Sequence, residues 1–587
     1  MNCTTAAPIL PGRATGAPTP PTPSIPQPSE QSAPPSAIAK RAASPLLVGL
    51  FSVGSLLPQL PLAFPSDPDA PPCPKSRFRS DYRYLGPEAL LDPLQLAHMS
   101  DFEITMHLID YCPLRDELAR IYRPSRKGQI PFDPVSMMLT VALRLEERKS
   151  WQATANALRG KGGAGWRELF GFEEGATPSA SGLRDFFQKV GPEFFAELCP
   201  RSIDLLRQHQ LFPERSTYPG DPEDRGITVS QDGMLHGARS RPSCQLATEE
   251  CHRPLASTAE SVAEAPPGER GEGAAGSRRR CRAQAKGLAG CQCDGPECTQ
   301  RCRRASRLDP EARFIHYTGN NGKHGQGESA KHKDKGIDLF GYRSIVDRAL
   351  DDRFAIAWTL RSRLYPANTD ERTVFKLDLE QLKRRFWELK IGEWLDDSGV
   401  GYGECLNAVW ELGALRMVDI RADAGDNDFE SCLRRGYDGK GCPLCPHGYP
   451  LSPNGYDHER RRAKYCCNQI CRRAPLREKE PVQPPSGCPY LDQTHPLGQV
   501  QNLGRAFKDG SVRLAREIPY GSDTWKARYG RRNLSESRNG QIEGLGLKRL
   551  NCYGLEPCQK EVQLADFLLN LRTLGRLVRE ATSRPQG

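Results

Sequence analysis

Aromatic side chains are scarce in this sequence, 7% of 587 residues. The mean hydropathy of −0.60 is that of a soluble chain. No uninterrupted apolar run is long enough to cross a bilayer, which takes about 20 residues. The most apolar stretch, Pro45–Phe64, follows Lys40 and Arg41, but Pro58 and Pro61 interrupt it and Gly49 and Gly54 weaken it. It also starts too late for an ordinary signal peptide, so no membrane partner is expected. A strong excess of one charge is missing too. Lys plus Arg total 82 against 72 Asp plus Glu, a formal net charge of +10. That permits a polyanionic partner without requiring one. Nor are the 21 cysteines evenly spread: most fall between Cys244 and Cys302 and between Cys442 and Cys488. An odd number in tight clusters argues against a secreted disulfide scaffold and for a reducing compartment with metal binding.

Residues 1–83 are rich in Pro, Ala and Ser. Such composition buries too little apolar surface to offset chain entropy, so this leader is expected to be disordered. Residues 84–210 read as helical. Pro134–Leu145 (PVSMMLTVALRL) carries a first-turn proline before an apolar run, Trp151–Leu158 has helical spacing, and Ser179–Phe195 follows a turn. Such short helices in series resemble a helix-turn-helix module and make this segment a candidate DNA-binding domain.

Gly226–Gly237 (GITVSQDGMLHG) alternates like a strand entering a turn at Asp232-Gly233. Tyr342–Ala349 and Phe354–Arg361 read as strands joined by a hairpin at Asp351-Asp352-Arg353. Asp370–Trp387 is a helix with Val374, Leu377, Leu379, Leu382 and Phe386 near one face. Ile391–Leu395 reads as a strand, Gly403–Leu412 as a helix, Leu415–Ile420 as a strand, and Tyr529–Ala581 as helical. With two Cys-rich inserts removed (239–335 and 426–523), segments 211–238, 336–425 and 524–582 give an α/β order with a mixed sheet. That order fits a ribonuclease-H-like core, interrupted twice and preceded by an all-helical domain.

Three acids stand out. Asp232 lies at the end of an apolar strand, Asp397 ends IGEWLDD with Asp396 as its rival, and Glu536 lies in YGRRNLSESRNGQIEG. Turn chemistry or an N-cap accounts for either aspartate alone, and a solvated helix face accounts for the glutamate. Together they suit phosphodiester chemistry, which two metal ions about 3.5–4 Å apart can support. Magnesium is hard and takes carboxylate oxygens. Tyr529, Arg532 and Glu536 resemble, in register, the Tyr-Arg-Glu-Lys signature of the DDE transposases of bacterial insertion sequences. That signature ends in a lysine seven residues beyond the glutamate, where this chain has Glu543; Lys548 is the nearest lysine. ITVSQDGMLHG, LDDSGVGYGECLNAVWELGALRMVDIR and LDPEARFIHYTGNNG resemble other segments of the same family, and the second favours Asp397 over Asp396.

The resemblance implies a nuclease and strand transferase acting on double-stranded DNA, both element ends and target. Asp232, Asp397 and Glu536 would hold two Mg²⁺, while Arg532 and Tyr529 would contact phosphate. It also implies at least a homodimer when two ends are brought together, and a cytoplasmic, nucleoid-associated location in a bacterium. The missing lysine leaves a second expectation: an inactive or domesticated transposase acting as a zinc-containing DNA-binding protein.

The zinc candidates are Cys442 and Cys445, a CxxC knuckle, with Cys466 and Cys471. Four thiolates can close a tetrahedral zinc site. Cys467, Cys488, His447 and His458 are rivals for the second pair. Cys281, Cys291, Cys293, Cys298 and Cys302 match no standard spacing. Basic runs at Arg278–Arg280, Arg303-Arg304 and Arg460–Arg462 could neutralise phosphates, although a solvated charge run is the commoner role.

Overall fold

The helices start where side chains can satisfy their free N–H groups. Ser100 and Glu103 form a reciprocal capping box on α1 (Asp101–Leu108). Asp133 caps α2 (Pro134–Glu146), whose first proline has no N–H to lose. Ser150 caps α3 (Trp151–Arg159) and Ser179 caps α4 (Ala180–Lys189); α5 (Pro192–Gln208) again opens on proline. Helix α2 is buried on every side from Pro134 to Leu145, as befits a helix in the middle of a core.

The computed structural model describes residues 77–122, 128–240, 308–317, 337–421, 428–467 and 498–582, with a few isolated positions besides. Most of the leader, most of the first Cys-rich stretch and the middle of the second lie outside them. So do Cys281, Cys291, Cys293, Cys298, Cys302, Cys471 and Arg278–Arg280. Residues 77–83, the end of the expected leader, are described, and Ser80 and Tyr82 are buried there. No helix among the described residues is long and apolar enough to cross a membrane.

The strands are β1 (Ile227–Gly237), β2 (Arg313–Tyr317), β3 (Ile337–Asp351), β4 (Ile356–Pro366), β5 (Ile391–Asp396) and β6 (Leu415–Val418). They form a mixed sheet in the order β6-β5-β1-β3-β2, with β4 also paired to β3. Pairing is parallel among β6, β5 and β1, and antiparallel from β1 through β3 to β2 and β4. Helix α6 (Glu371–Arg385) connects β4 to β5, and α7 (Gly403–Glu411) connects β5 to β6. The chain is therefore mixed α/β.

A second, three-stranded antiparallel sheet comprises β7 (Ser452–Asp457), β8 (Arg462–Cys466) and β9 (Val500–Leu503). The stretch expected to be one helical run from Tyr529 is three helices: α8 (Asp523–Tyr529), α9 (Arg532–Gly544) and α10 (Leu555–Thr582). Helix α10 packs against α5, α1 and β4. One hydrophobic core thus runs from Leu96 in the helical segment through Trp358 and Trp394 to Leu568. The helices of 84–210 share that core with the sheet.

Candidate functional site

Asp232 lies midway along β1, not in a turn. Thr228 to Gly237 pair continuously with Leu350 to Gly341 of β3, so the Asp-Gly pair stays extended. The expected turn is overruled by this ladder. Gly233 has a different reason to be glycine: a Cβ there would lie 2.6 Å from a Glu371 carboxylate oxygen. Asp232 is 8% exposed. Both its oxygens accept hydrogen bonds, one from Arg532 Nη2 at 2.9 Å and one from Asn539 Nδ2 at 2.8 Å.

Asp396 and Asp397 end β5 and separate as strand alternation requires. Asp396 is buried and accepts from Trp394 Nε1 at 3.2 Å and from the Asp397 backbone N–H at 2.8 Å. Asp397 is half exposed, and its Oδ2 lies 3.7 Å from Arg532 Nη2. Its other oxygen caps the following turn by accepting from Gly399 N–H. It fills both the N-cap role and a place in the acidic group.

Helix α9 supplies the third acid. Arg532, Glu536 and Asn539 fall at i, i+4 and i+7, one stripe of the helix. The opposite stripe, Ser535, Arg538 and Ile542, is fully buried. It is anchored by Arg538, which grips Asp566 of α10 and donates to Ser344 of β3. Arg532 pairs with Glu536 within the helix, with Asp232 across to β1, and with Asp397 at the end of β5. One guanidinium therefore joins the three acids named from sequence. Arg532 Nε and Asn539 Oδ1 are buried without a hydrogen-bond partner among the described residues.

Tyr529 ends α8, two residues before α9 opens, and Gly530 and Arg531 between them keep right-handed helical backbone angles. It lies near enough to Arg532 to help hold that guanidinium protonated, stacks on Trp525 with ring centroids 4.4 Å apart, and packs near Leu350, Ala357, Leu395 and Met417. Lys548 pairs with Glu543 at 3.0 Å, and it is Glu543 that holds the signature's lysine position.

Sequence reasoning missed two side chains. Asn539 is one; the i+3 step from Glu536 was the signal that pointed to it. Glu371 is the other. Its carboxylate spans the gap between the Asp232 and Asp397 segments, since a Cβ on Gly399 would meet its second oxygen at 2.8 Å. Arg343 Nη1 donates to it at 2.7 Å. It opens α6 just after the capping Asp370, an ordinary place for an acid, so only the packing reveals it.

The crowding sets the electrostatics. Burial pushes the Glu371 carboxyl up to about 7; Asp397 adds to this, Arg343 opposes it and Asp232 adds again. Burial also raises Asp232, against the pull of Arg532 and Asn539. Asp396 rises well above the carboxylate range through burial and its neighbours Asp397 and Glu371. For Arg532, burial opposes the charge, but Tyr529 and the surrounding aspartates outweigh it and hold the guanidinium protonated.

Cys466 lies buried on β8, paired with Ser452 and Val500. Cys442 Sγ donates to the Leu451 carbonyl at 3.3 Å, and burial pushes this thiol up to about 12. Burial likewise raises Cys445, with Cys467 and Cys488 adding to the effect. The neighbours of Cys445 are therefore Cys467 and Cys488, the rivals, and Cys471 lies outside the described residues. Arg461 lies over Trp410, 3.9 Å from its ring centroid, while Arg460 and Arg462 are exposed. Among the described residues no three His, Cys, Asp or Glu side chains stand close enough to hold a metal ion as arranged. No family model, no curated protein and no solved structure matches the chain.

Proposed function

We propose that the chain is a DDE-type DNA transposase, a nuclease and strand transferase whose acids are Asp232, Asp397 and Glu536. The observation that carries this reading is their meeting on Arg532 from three elements far apart in sequence. The sheet order supports it as well. A long β1 flanked by a parallel pair on one side and antiparallel strands on the other is the pattern expected of a ribonuclease-H-like core.

The donors suit magnesium. All are hard carboxylate oxygens. Arg532 and Arg343 pair with this group of Asp232, Asp397, Glu536 and Glu371, and burial, with Asp397 and Asp232 adding to it, still raises the proton affinity of Glu371. Asp232, Asp397 and Glu536 would hold two Mg²⁺, which supply an activated water or DNA 3′-hydroxyl and stabilise the leaving oxygen. Arg532, paired with all three acids, supplies a guanidinium of the kind suited to a phosphate. Asn539 fixes the orientation of Asp232. The partners on this reading are double-stranded DNA and at least one further copy of the chain, in the cytoplasm of a bacterium.

A second reading is a DNA-binding protein without catalysis, with zinc in the cysteine cluster. Glu543, paired with Lys548 where the signature has lysine, favours it. The test is Mg²⁺-dependent cleavage of a plasmid carrying the element's own terminal repeats. Asp232→Ala, Asp397→Ala and Glu536→Gln should each abolish cleavage. Wild-type cleavage indistinguishable from that of the three variants removes the catalytic reading. DNA binding without cleavage by the wild type favours the second. Metal analysis of the wild type and of Cys442→Ser tests zinc.

A further inference from the structure

A cavity of about 560 Å³ lies between the helical segment and the end of α9, away from the acidic group. Its wall carries Arg144, Arg148, Lys149, Arg239 and Arg549, with the Trp151 ring among them. Two carboxylates offset this charge: Glu561 pairs with Arg144 at 2.6 Å and Glu147 with Lys149 at 2.8 Å. Five cations thus face two acids.

Arg144 is the built part of the site. It is 4% exposed, its guanidinium lies 4.1 Å from the Trp151 ring centroid, and its Nε has no hydrogen-bond partner among the described residues. A buried N–H left unmade costs about 1–3 kcal/mol, more when charged. Arg239 and Arg549 are held at the rim by the backbone. Arg549 donates to the Ala238 and Arg239 carbonyls at 3.1 and 2.7 Å, and Gly237 pairs with the Lys548–Leu550 segment. The rim is therefore fixed to the end of β1.

We propose that this cavity binds phosphate groups. Fixed guanidinium forks match phosphate oxygens, and the Trp151 ring holds the Arg144 guanidinium in place. The phosphate comes either from a nucleic acid strand or from a free nucleotide. Charge and ring alone carry this assignment, without the acidic cluster. One spacing argument does rest on the transposase reading. Leu545 follows Glu536 by nine residues, about 13 Å along the helix. A strand with one phosphate at the acids reaches the cavity within about four nucleotides at 3.4 Å each.

The test uses full-length protein in EDTA, which keeps it separate from any cleavage. The probes are a labelled 20-nucleotide single strand, ATP and inorganic pyrophosphate. The Arg148→Glu/Lys149→Glu double variant and Arg549→Glu should each bind a probe that the wild type binds at least ~10-fold more weakly. For the strand, the double variant should also flatten the salt dependence by about 1.5 in slope. Arg83→Glu, an exposed control, should bind as the wild type does. Strand affinity lost without displacement by millimolar pyrophosphate or ATP identifies a strand as the source. Displacement by micromolar ATP or pyrophosphate identifies a free compound. Unchanged affinities in both charge-reversal variants, or a wild type that binds none of the probes, overturn the proposal. If the variants melt early, acetylation of Lys149 in the wild type decides: protection by bound probe supports the site, and equal labelling with and without probe refutes it.

Discussion

Arg532 and Arg538 stand six residues apart on one helix and both grip carboxylates, but only one of the two sets is complete. Arg538 makes two bonds of 2.8 Å to Asp566 and one of 3.0 Å to Ser344, and both charged side chains are fully buried. Arg532 spreads over Asp232, Asp397 and Glu536, leaves its Nε unused and sits beside half-exposed acids. A closed ion pair holds a fold together. The Arg532 set leaves its charges only partly paired and partly exposed.

That contrast is broken most forcefully at Arg538. Arg538→Met strands the Asp566 charge in the core and should cost about 3–5 kcal/mol, read as a lower urea midpoint. An equally stable variant removes the structural half of the comparison. In the open set, Asp232→Asn and Glu536→Gln should lower cleavage on the order of 10³-fold, several kcal/mol of barrier. Thermal melting should stay near that of the wild type, because each change relieves crowded negative charge.

The two neighbouring aspartates sharpen the contrast within a single strand end. Asp397→Asn should lose cleavage as Glu536→Gln does. Asp396→Asn should keep much of it, since burial already drives that carboxyl toward its protonated form. Equal losses in the two variants would undo the choice between them.

Glu371 gives a pH signature. Its folded pKa of about 7 lies above the ordinary 4.5, so the folded state holds the proton more tightly than the unfolded state. Its contribution is full below pH 4.5 and is lost as the pH rises through 7. At 1.36 kcal/mol per pKa unit this amounts to up to about 3 kcal/mol. Urea midpoints at pH 5 and pH 8 should differ more in the wild type than in Glu371→Gln; equal differences exclude the effect. The smallest change expected is Asn539→Ala, which removes one bond to Asp232. It should cost about 1 kcal/mol of stability and on the order of 10-fold in cleavage.

Much of this was legible because local pattern and final packing agree. The β3–β4 hairpin, the helix after Asp370 and the β5-α7-β6 run lie within a few residues of where alternation and spacing put them. What was hidden depended on partners distant in sequence. Asp232-Gly233 looks like a turn until β3 pairs across it. Glu371 looks like a routine first-turn acid until Gly233 and Gly399 make room for its two oxygens. Two acid-glycine neighbourhoods facing one helix start form a trace that no single window of sequence contains. The turn at Gly530 and Arg531 escaped because residues on both sides favour helix. The shared core of helices and sheet draws on α10, which contacts both the helical segment and β4.

The bond between Asp232 and Arg532 joins residues 300 positions apart. At about 5–20 residues per second of synthesis, the first acid waits roughly 15–60 s for its arginine and the third acid to leave the ribosome. During that interval the nascent chain carries β1 but no assembled acidic group. Topology alone thus ties the assembly of the acidic group to the arrival of α9, which opens some fifty residues before the last described position.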